Sequence, residues 1–537
     1  MSDIAGQSFH IHAALVICVL LGFQGVFSQA HNDTVSLSGS PEIGDTRNIL
    51  LERLQYKEGG LIRNDFIRVY SPFDAWNLGP EQQSSLGSEL SFRTDAQRNV
   101  IQLSTKENSV SLSILPLLGG TYFASERGTP FWKRSSGLEV TGSIGENIVF
   151  YARAVDNVLR GASPDMKGSL SSQPAYVTSI TVGSDGYDYD DSEMQLGFRF
   201  GMVNLFFEKV RNTWGYGRGG QEVFSERAPS YPQVRASIQL LHNLKFTVLG
   251  AVLNSGIIDS IQTYTDFSSD GTYKTQRNIY RSKYLFAHVL EYSPIEQMNL
   301  AVGEEVIVSD RFMPEYFIVP ITFYHNLYIQ SGGVDQMNIW GGARYTRPHL
   351  GSVYTTIYVD DFNFDQNFYI VATTVGGTLV DVDRRNVDVT AEYTALRPFV
   401  YANNITSLYR TSNGYPLGDW LGQNGQRVQV WLDYRPMPQL WLTASYTVIW
   451  KGMPGLTSQE YGSGLIGKIG FLDGPLFKRN ELSLQGRWEV YSGLFADFSY
   501  RFMTQSDQVA YRYASFSNRS FLSFAVKLNM FDRNDEW

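Results

Sequence analysis

From about residue 98 to the end of the chain, apolar and polar residues alternate with a period of two. Three stretches show the pattern clearly: 427–435, 440–450 and 481–489. In each, one set of alternate positions is mainly Val, Leu, Tyr and Trp, and the other set is mainly polar or charged. Successive side chains of a strand point to opposite faces, so each stretch predicts a β-strand with one apolar and one polar face. Trp431 is the exception, because it lies among the polar positions of its stretch.

The connections between these strands alternate between short and long. Short turns are predicted near 142–147, 242–243, 293–297, 347–351, 383–386, 435–439 and 489–493, and long polar loops near 157–192, 210–231, 255–282, 309–337, 396–426, 451–479 and 503–517. Short turns on one rim and long loops on the other are typical of membrane barrels. The pattern therefore predicts an all-β fold, a transmembrane antiparallel β-barrel of about 18 strands over residues 98–537. Aromatic residues at the ends of apolar faces, such as Tyr434 and Trp488, fit a girdle at the membrane interface.

The first part of the chain has a different pattern. An apolar run over 13–23 and a small-x-small site at 28–30 predict that residues 1–30 are a secretory signal peptide. Residues 31–97 contain helical patterns and predict a small N-terminal α-helical region in the periplasm. No later apolar run is long enough for a membrane helix, which leaves a soluble exported all-β protein or an outer-membrane barrel. The alternation of short turns and long loops favours the barrel, so the expected location is the cell outer membrane. Cys18, the one cysteine, lies in the predicted leader, so no disulfide is expected.

Composition and motifs argue against several classes of function. The net charge is −9 and no basic cluster stands out, so no nucleic-acid partner is expected. None of the seven His residues has metalloprotease spacing, and no nucleophile elbow, phosphate loop or dinucleotide fingerprint is present. We therefore predict no enzymatic activity, no catalytic residue, no cofactor and no metal site. The acidic stretch 185–193 is interpreted as a solvated loop.

Charged residues on the polar faces of the strands are predicted to line the lumen. Their number suggests a network of opposite charges, because desolvated charges need partners. Such a network either maintains the barrel shape or forms a polar conduit or a sugar-contacting surface. The predicted inward set is Glu305, Arg344, Asp388, Glu392, Arg427, Asp433, Arg435, Glu481 and Arg487.

Several loop and strand motifs resemble, in residues and in order, the Wzi family of capsule-assembly outer-membrane proteins. They are Trp214-Gly215-Tyr216-Gly217, Ser225-Glu226-Arg227-Ala228-Pro229, Gly303-Glu304-Glu305-Val306-Ile307, Tyr358-Val359-Asp360-Asp361-Phe362, Glu392-Tyr393-Thr394, Arg397-Pro398-Phe399 and Tyr415-Pro416-Leu417-Gly418. The segment Leu50-Leu51-Glu52-Arg53-Leu54 is similar to the family's N-terminal helical region. The resemblance implies a lectin-like barrel that binds surface or capsular polysaccharide, with outer-membrane lipid and the barrel-assembly machinery as its other partners.

Two alternatives stay open beside the lectin-like barrel. One is a porin or channel for small polar solutes, and the other is a barrel-embedded hydrolase, which the missing nucleophile and base disfavour. The candidate polysaccharide-binding or lumen residues are Arg227, Glu305, Arg311, Arg344, Asp360, Asp361, Glu392 and Arg397. Five of them, Arg227, Glu305, Arg311, Asp361 and Arg397, are expected near the long-loop rim or in the upper lumen.

Overall fold

The computed structural model describes most of the chain from Ile101 onwards. The described residues are 101–104, 110–125, 130–161, 170–176, 180–182, 186–267, 270–271, 274–312, 321–330, 332–363, 368–437, 439–453, 470–491, 493–509 and 517–530. The predicted signal peptide and the predicted helical region over 31–97 lie outside the described residues, and both stay predictions.

Eighteen antiparallel strands form a closed barrel, which confirms the predicted fold class and strand number. The strands are β1 (Val110–Ser125), β2 (Phe131–Ile144), β3 (Ile148–Arg160), β4 (Gly186–Phe200), β5 (Val203–Val210), β6 (Tyr231–Leu241), β7 (Leu244–Val252), β8 (Lys283–Tyr292), β9 (Met298–Ser309), β10 (Gln336–Arg347), β11 (Gly351–Asn363), β12 (Phe368–Leu379), β13 (Val387–Leu396), β14 (Gly425–Met437), β15 (Leu440–Lys451), β16 (Phe477–Tyr491), β17 (Leu494–Asp507) and β18 (Asn518–Leu528). Each strand pairs with the next in the chain, and β18 closes the ring on β1 through pairs from Leu118↔Leu528 to Ser125↔Phe521. Closure leaves no unpaired strand edge, as a membrane-spanning sheet requires.

Smaller elements complete the secondary structure. Ile101–Ser104 adds to β1 and Ile180–Val182 adds to β4, while the pairs Tyr264–Phe267 with Lys274–Arg277 and Thr411–Ser412 with Tyr415–Pro416 form separate ribbons. Among the described residues, the helices are α1 (Tyr324–Gln330) and two 3-10 turns, Val382–Arg384 and Thr406–Leu408. Within the described part of the chain, no helix is long and apolar enough to cross a membrane.

The two faces of the sheet differ as the alternation predicts. On β14, Val428, Val430 and Leu432 are exposed on the outer surface, whereas Arg427 and Trp431 are buried inside. Trp431 is therefore a lumen residue, in agreement with its place among the polar positions. All nine charged residues of the predicted inward set occupy lumen-facing positions of their strands.

The structure corrects the interpretation of the acidic stretch 185–193. Residues 186–193 belong to β4, not to a solvated loop. Asp191 and Glu193 are buried in the lumen, where Arg211 lies 2.9 Å from Asp191 and 3.3 Å from Glu193. The stretch was misassigned because acidic residues are rare in strands, and their basic partner lies in another segment.

Candidate functional site

Two long loops of the described part of the chain fold into the lumen. We call residues 211–230, between β5 and β6, loop A, and residues 397–424, between β13 and β14, loop B. Loop A reaches far into the barrel, because the Tyr216 hydroxyl contacts Asn299, which lies at the turn end of β9. Both loops contribute to one buried apolar cluster that also includes wall residues such as Trp340 and Tyr358. The two loops together are called the plug below.

Arg410 of loop B joins both plug loops to the barrel wall. Its guanidinium forms a fork with the Glu305 carboxylate, with 2.9 Å between Nη2 and Oε2, and neither side chain is exposed. The same guanidinium donates to the loop A carbonyls of Glu222 and Val223. It also lies over the Tyr358 ring, 4.9 Å from its centroid. A fixed planar fork satisfies this many acceptors at once, which an ammonium group does not.

A second buried cluster surrounds Arg427 on β14. Its guanidinium donates to Asp419 of loop B at 2.9 and 3.1 Å and lies 3.6 Å from Glu392 of β13. Glu392 in turn accepts the backbone N–H groups of Arg218 and Gly219 at 2.6 and 3.0 Å. These bonds fix the tip of loop A against the wall.

Loop A approaches loop B closely enough that glycine is required at one position. A Cβ at Gly220 would lie 2.2 Å from the Asp419 Oδ2 atom, well inside van der Waals contact. The glycine therefore lets the backbone pass beside the carboxylate that Arg427 binds.

Glu222 of loop A is a buried carboxyl group with a raised pKa. Burial, together with the negative charge of Asp419, raises the pKa of Glu222 from its ordinary value of 4.5 to about 8. The folded protein holds this proton more tightly than the unfolded chain does. The resulting stabilisation of the folded state is complete below about pH 4.5 and is lost as pH rises through about 8.

We therefore expect the change in stability from pH 6 to pH 9 to be less destabilising in Glu222→Gln than in the parent protein. The amide keeps the shape of the protonated carboxyl and has no charge to desolvate. The measurement is the melting temperature of the purified barrel at both pH values. An equal pH dependence in the variant and the parent would contradict the assignment to Glu222.

An open polar cleft lies between the plug and the wall formed by β14 to β17. Residues 170–172 and 174 of a long loop line part of it. The indoles of Trp420 and Trp431 line it together with hydroxyl and amide side chains, and with Arg227 and Glu481. Arg218 lies over the Trp431 ring at 5.0 Å and is paired with Asp433 at 2.6 Å. The cleft thus combines flat aromatic surfaces with many hydrogen-bonding groups.

The eight predicted site residues do not converge on one site. Arg227 lines the cleft, is buried, and has its pKa lowered to about 10 by that burial. Glu305, Arg344, Asp360 and Glu392 are buried lumen residues of the wall, and Asp360 accepts the Tyr401 N–H of loop B at 2.6 Å. Arg311 is paired with Asp335 at 2.5 Å, and Asp361 and Arg397 are exposed near the long-loop rim. Their functional roles stay predictions.

Sequence reasoning missed the residues that build the plug. Arg410, Asp419, Glu222 and Arg218 lie in segments predicted only as polar loops. Their partners are far apart in sequence, with 105 positions between Arg410 and Glu305 and 215 between Arg218 and Asp433. The motifs of the family resemblance were the available signal, since most of them meet inside the lumen.

Among the described residues, no group of three or more His, Cys, Asp or Glu side chains is placed to hold a metal ion. The charged groups of the lumen instead bind one another.

The fold and the lumen together define a class, a closed 18-stranded barrel of the outer-membrane type whose interior is occupied by its own loops. No protein-family model matches the sequence, and no curated protein matches it. Among solved structures, the chain is similar to Wzi of Escherichia coli, an outer-membrane protein involved in group 1 capsule assembly and described as a carbohydrate-binding β-barrel. The sequences are 12% identical, the match covers 92% of this chain and all of Wzi, and the TM-score is 0.56. The predicted resemblance to Wzi is confirmed at the level of the fold.

The chain also matches Pseudomonas aeruginosa OprD and OpdQ. OprD is 12% identical, with 79% of this chain and 96% of OprD covered and a TM-score of 0.42. OpdQ is 11% identical, with 78% of this chain and 98% of OpdQ covered and the same TM-score of 0.42.

Proposed function

We propose that this protein is an outer-membrane barrel that binds exported polysaccharide at the cell surface and takes part in capsule assembly or attachment. The cleft between the plug and strands β14 to β17 is the contact surface. The observation that carries the proposal is its lining, in which Trp420 and Trp431 accompany hydroxyl and amide side chains. The apolar faces of sugar rings stack on aromatic rings, and sugar hydroxyls take polar side chains as hydrogen-bond partners.

The position of the cleft supports the same function. Residues 170–172 and 174, which line it, belong to a long loop, and long loops of membrane barrels lie on the outside of the cell. The described carbohydrate binding of Wzi, whose fold this chain shares, adds further support.

Trp431→Ala tests the proposal. We expect the substitution to weaken polysaccharide binding by roughly tenfold or more, because buried aromatic anchors at the centre of a binding site contribute about 2 kcal/mol or more. The measurement is the affinity of the purified barrel for polysaccharide released from its own host, together with the polysaccharide retained on intact cells.

Leu432→Ala is the matched control, since Leu432 is the next residue on β14 and faces outward. Folding of both variants is checked by heat-dependent gel mobility. Unchanged binding by a folded Trp431→Ala variant would argue against the cleft as the sugar surface.

A channel for small polar solutes is the second candidate function. One observation favours it: a second, much smaller cavity shares Gln485 with the cleft and lies along β16 to β18. This cavity is bordered by Arg487, Asp497 and Lys527, whose side chains are joined by ion pairs of 2.6 and 3.3 Å.

A further inference from the structure

The outer wall of the barrel carries a buried histidine–glutamate pair on its lipid-facing side. His288 of β8 and Glu304 of β9 are register partners, and His288 Nε2 lies 3.0 Å from Glu304 Oε1. Glu305, the next residue, points into the lumen and binds Arg410, so Glu304 points outward. Both members of the pair are nevertheless buried.

A short segment outside the barrel covers this pair. We call residues 321–330, which include helix α1, the cap. The Tyr324 N–H donates to Glu304 Oε1 at 2.6 Å, and the Tyr324 ring lies 4.4 Å from the His288 ring. Tyr324 also packs on outward-facing side chains of the wall, Phe286, Val306 and Val308. The cap is therefore attached to the outer surface of β8 and β9.

The exposed part of the cap carries three large apolar side chains beside the polar residues His325, Asn326 and Gln330. Ile321, Phe323 and Ile329 are 71%, 73% and 60% accessible. They extend the apolar outer surface of the same strands, where Val302 of β9 is 59% accessible. Exposed apolar side chains beside a lipid-facing surface indicate contact with the same lipid.

We propose that the cap is a lipid-contact element, whose Ile321, Phe323 and Ile329 side chains lie among the acyl chains of the membrane beside β8 and β9. It shields the His288–Glu304 pair, because an uncovered ionisable group facing hydrocarbon costs several kcal/mol. This inference rests on the proposed membrane location and is independent of polysaccharide binding.

Site-directed spin labelling tests the inference. Because Cys18 is the one cysteine of the chain, a Cys18→Ser background permits a single nitroxide at Phe323→Cys. Val302→Cys on the wall and Ile261→Cys, on a loop residue that is 94% accessible, are the lipid and water references. Each full-length protein is reconstituted in phosphatidylcholine vesicles, and collisions of the label with oxygen and with a water-soluble nickel chelate are compared.

The expected result is that the label at 323 collides more with oxygen than with the nickel chelate, as at 302, with the reverse at 261. A label at 323 that behaves as at 261, or that both reagents fail to reach, would overturn the cap inference. If the label at 302 is also water-exposed, the proposed membrane location fails as well, so the two failures are distinguishable.

Discussion

Replacing Arg410 by Ala is expected to lower the free energy of unfolding by about 3–5 kcal/mol, because it leaves the Glu305 carboxylate buried without its partner. The loop A carbonyls of Glu222 and Val223 lose a donor in the same step. Loop A should therefore detach from the wall more often than in the parent protein. Amide hydrogen exchange over 211–230 should be faster by about a hundredfold or more.

An exposed arginine provides the control for Arg410. Arg385 pairs with Asp383 at 3.0 Å, but the two side chains are 76% and 73% accessible. Arg385→Ala should change the free energy of unfolding by at most about 1 kcal/mol, since water screens such a pair. Equal effects of the two substitutions would show that Arg410 does not hold the plug.

Trp214→Ala is expected to destabilise the plug by about 3–5 kcal/mol through lost packing, not lost charge. Trp214 is fully buried, and its ring centroid lies 4.9 Å from that of Phe224 and 6.1 Å from that of Trp340 on the wall. Removing the indole opens a cavity between loop A and β10. The measurement is thermal unfolding in detergent, combined with limited proteolysis of loop A.

Trp214→Phe is the conservative comparison, because it keeps an aromatic ring against Phe224. It should recover a large part of the lost stability. A Trp214→Ala protein as stable and protease-resistant as the parent would contradict the packing account. The Arg410 and Trp214 effects are not expected to add, since Phe224 contacts both side chains.

The barrel itself was predictable because its signal is local. Alternation at 427–435 assigns Arg427 and Val428 to opposite faces, and the structure places them there. Glu305 was predicted to point inward for the same reason, and this is confirmed by its contact with Arg410. The number of strands in the closed barrel could be predicted as well, because it follows from the alternation of short turns and long loops.

The plug was not predictable, because its contacts join residues without local periodicity. Nothing in the sequence around Arg410 indicates that a polar loop enters the lumen and binds Glu305. The outward position of Glu304 also breaks the apolar pattern of β9, and only the cap explains how a carboxylate is accommodated there. The alternation of apolar and polar residues predicts the strands of the barrel wall. It does not predict which segments pack against the inner or the outer face of that wall.

The conductance of the purified parent protein in planar lipid bilayers tests the central claim most directly. A barrel filled by loops A and B, with its cleft used for polysaccharide, should give no large and stable open channel. The Arg410→Ala variant, measured under the same conditions, should show frequent openings as loop A detaches. A large, stable conductance of the parent protein would contradict the plugged, polysaccharide-binding barrel and favour a channel for small solutes.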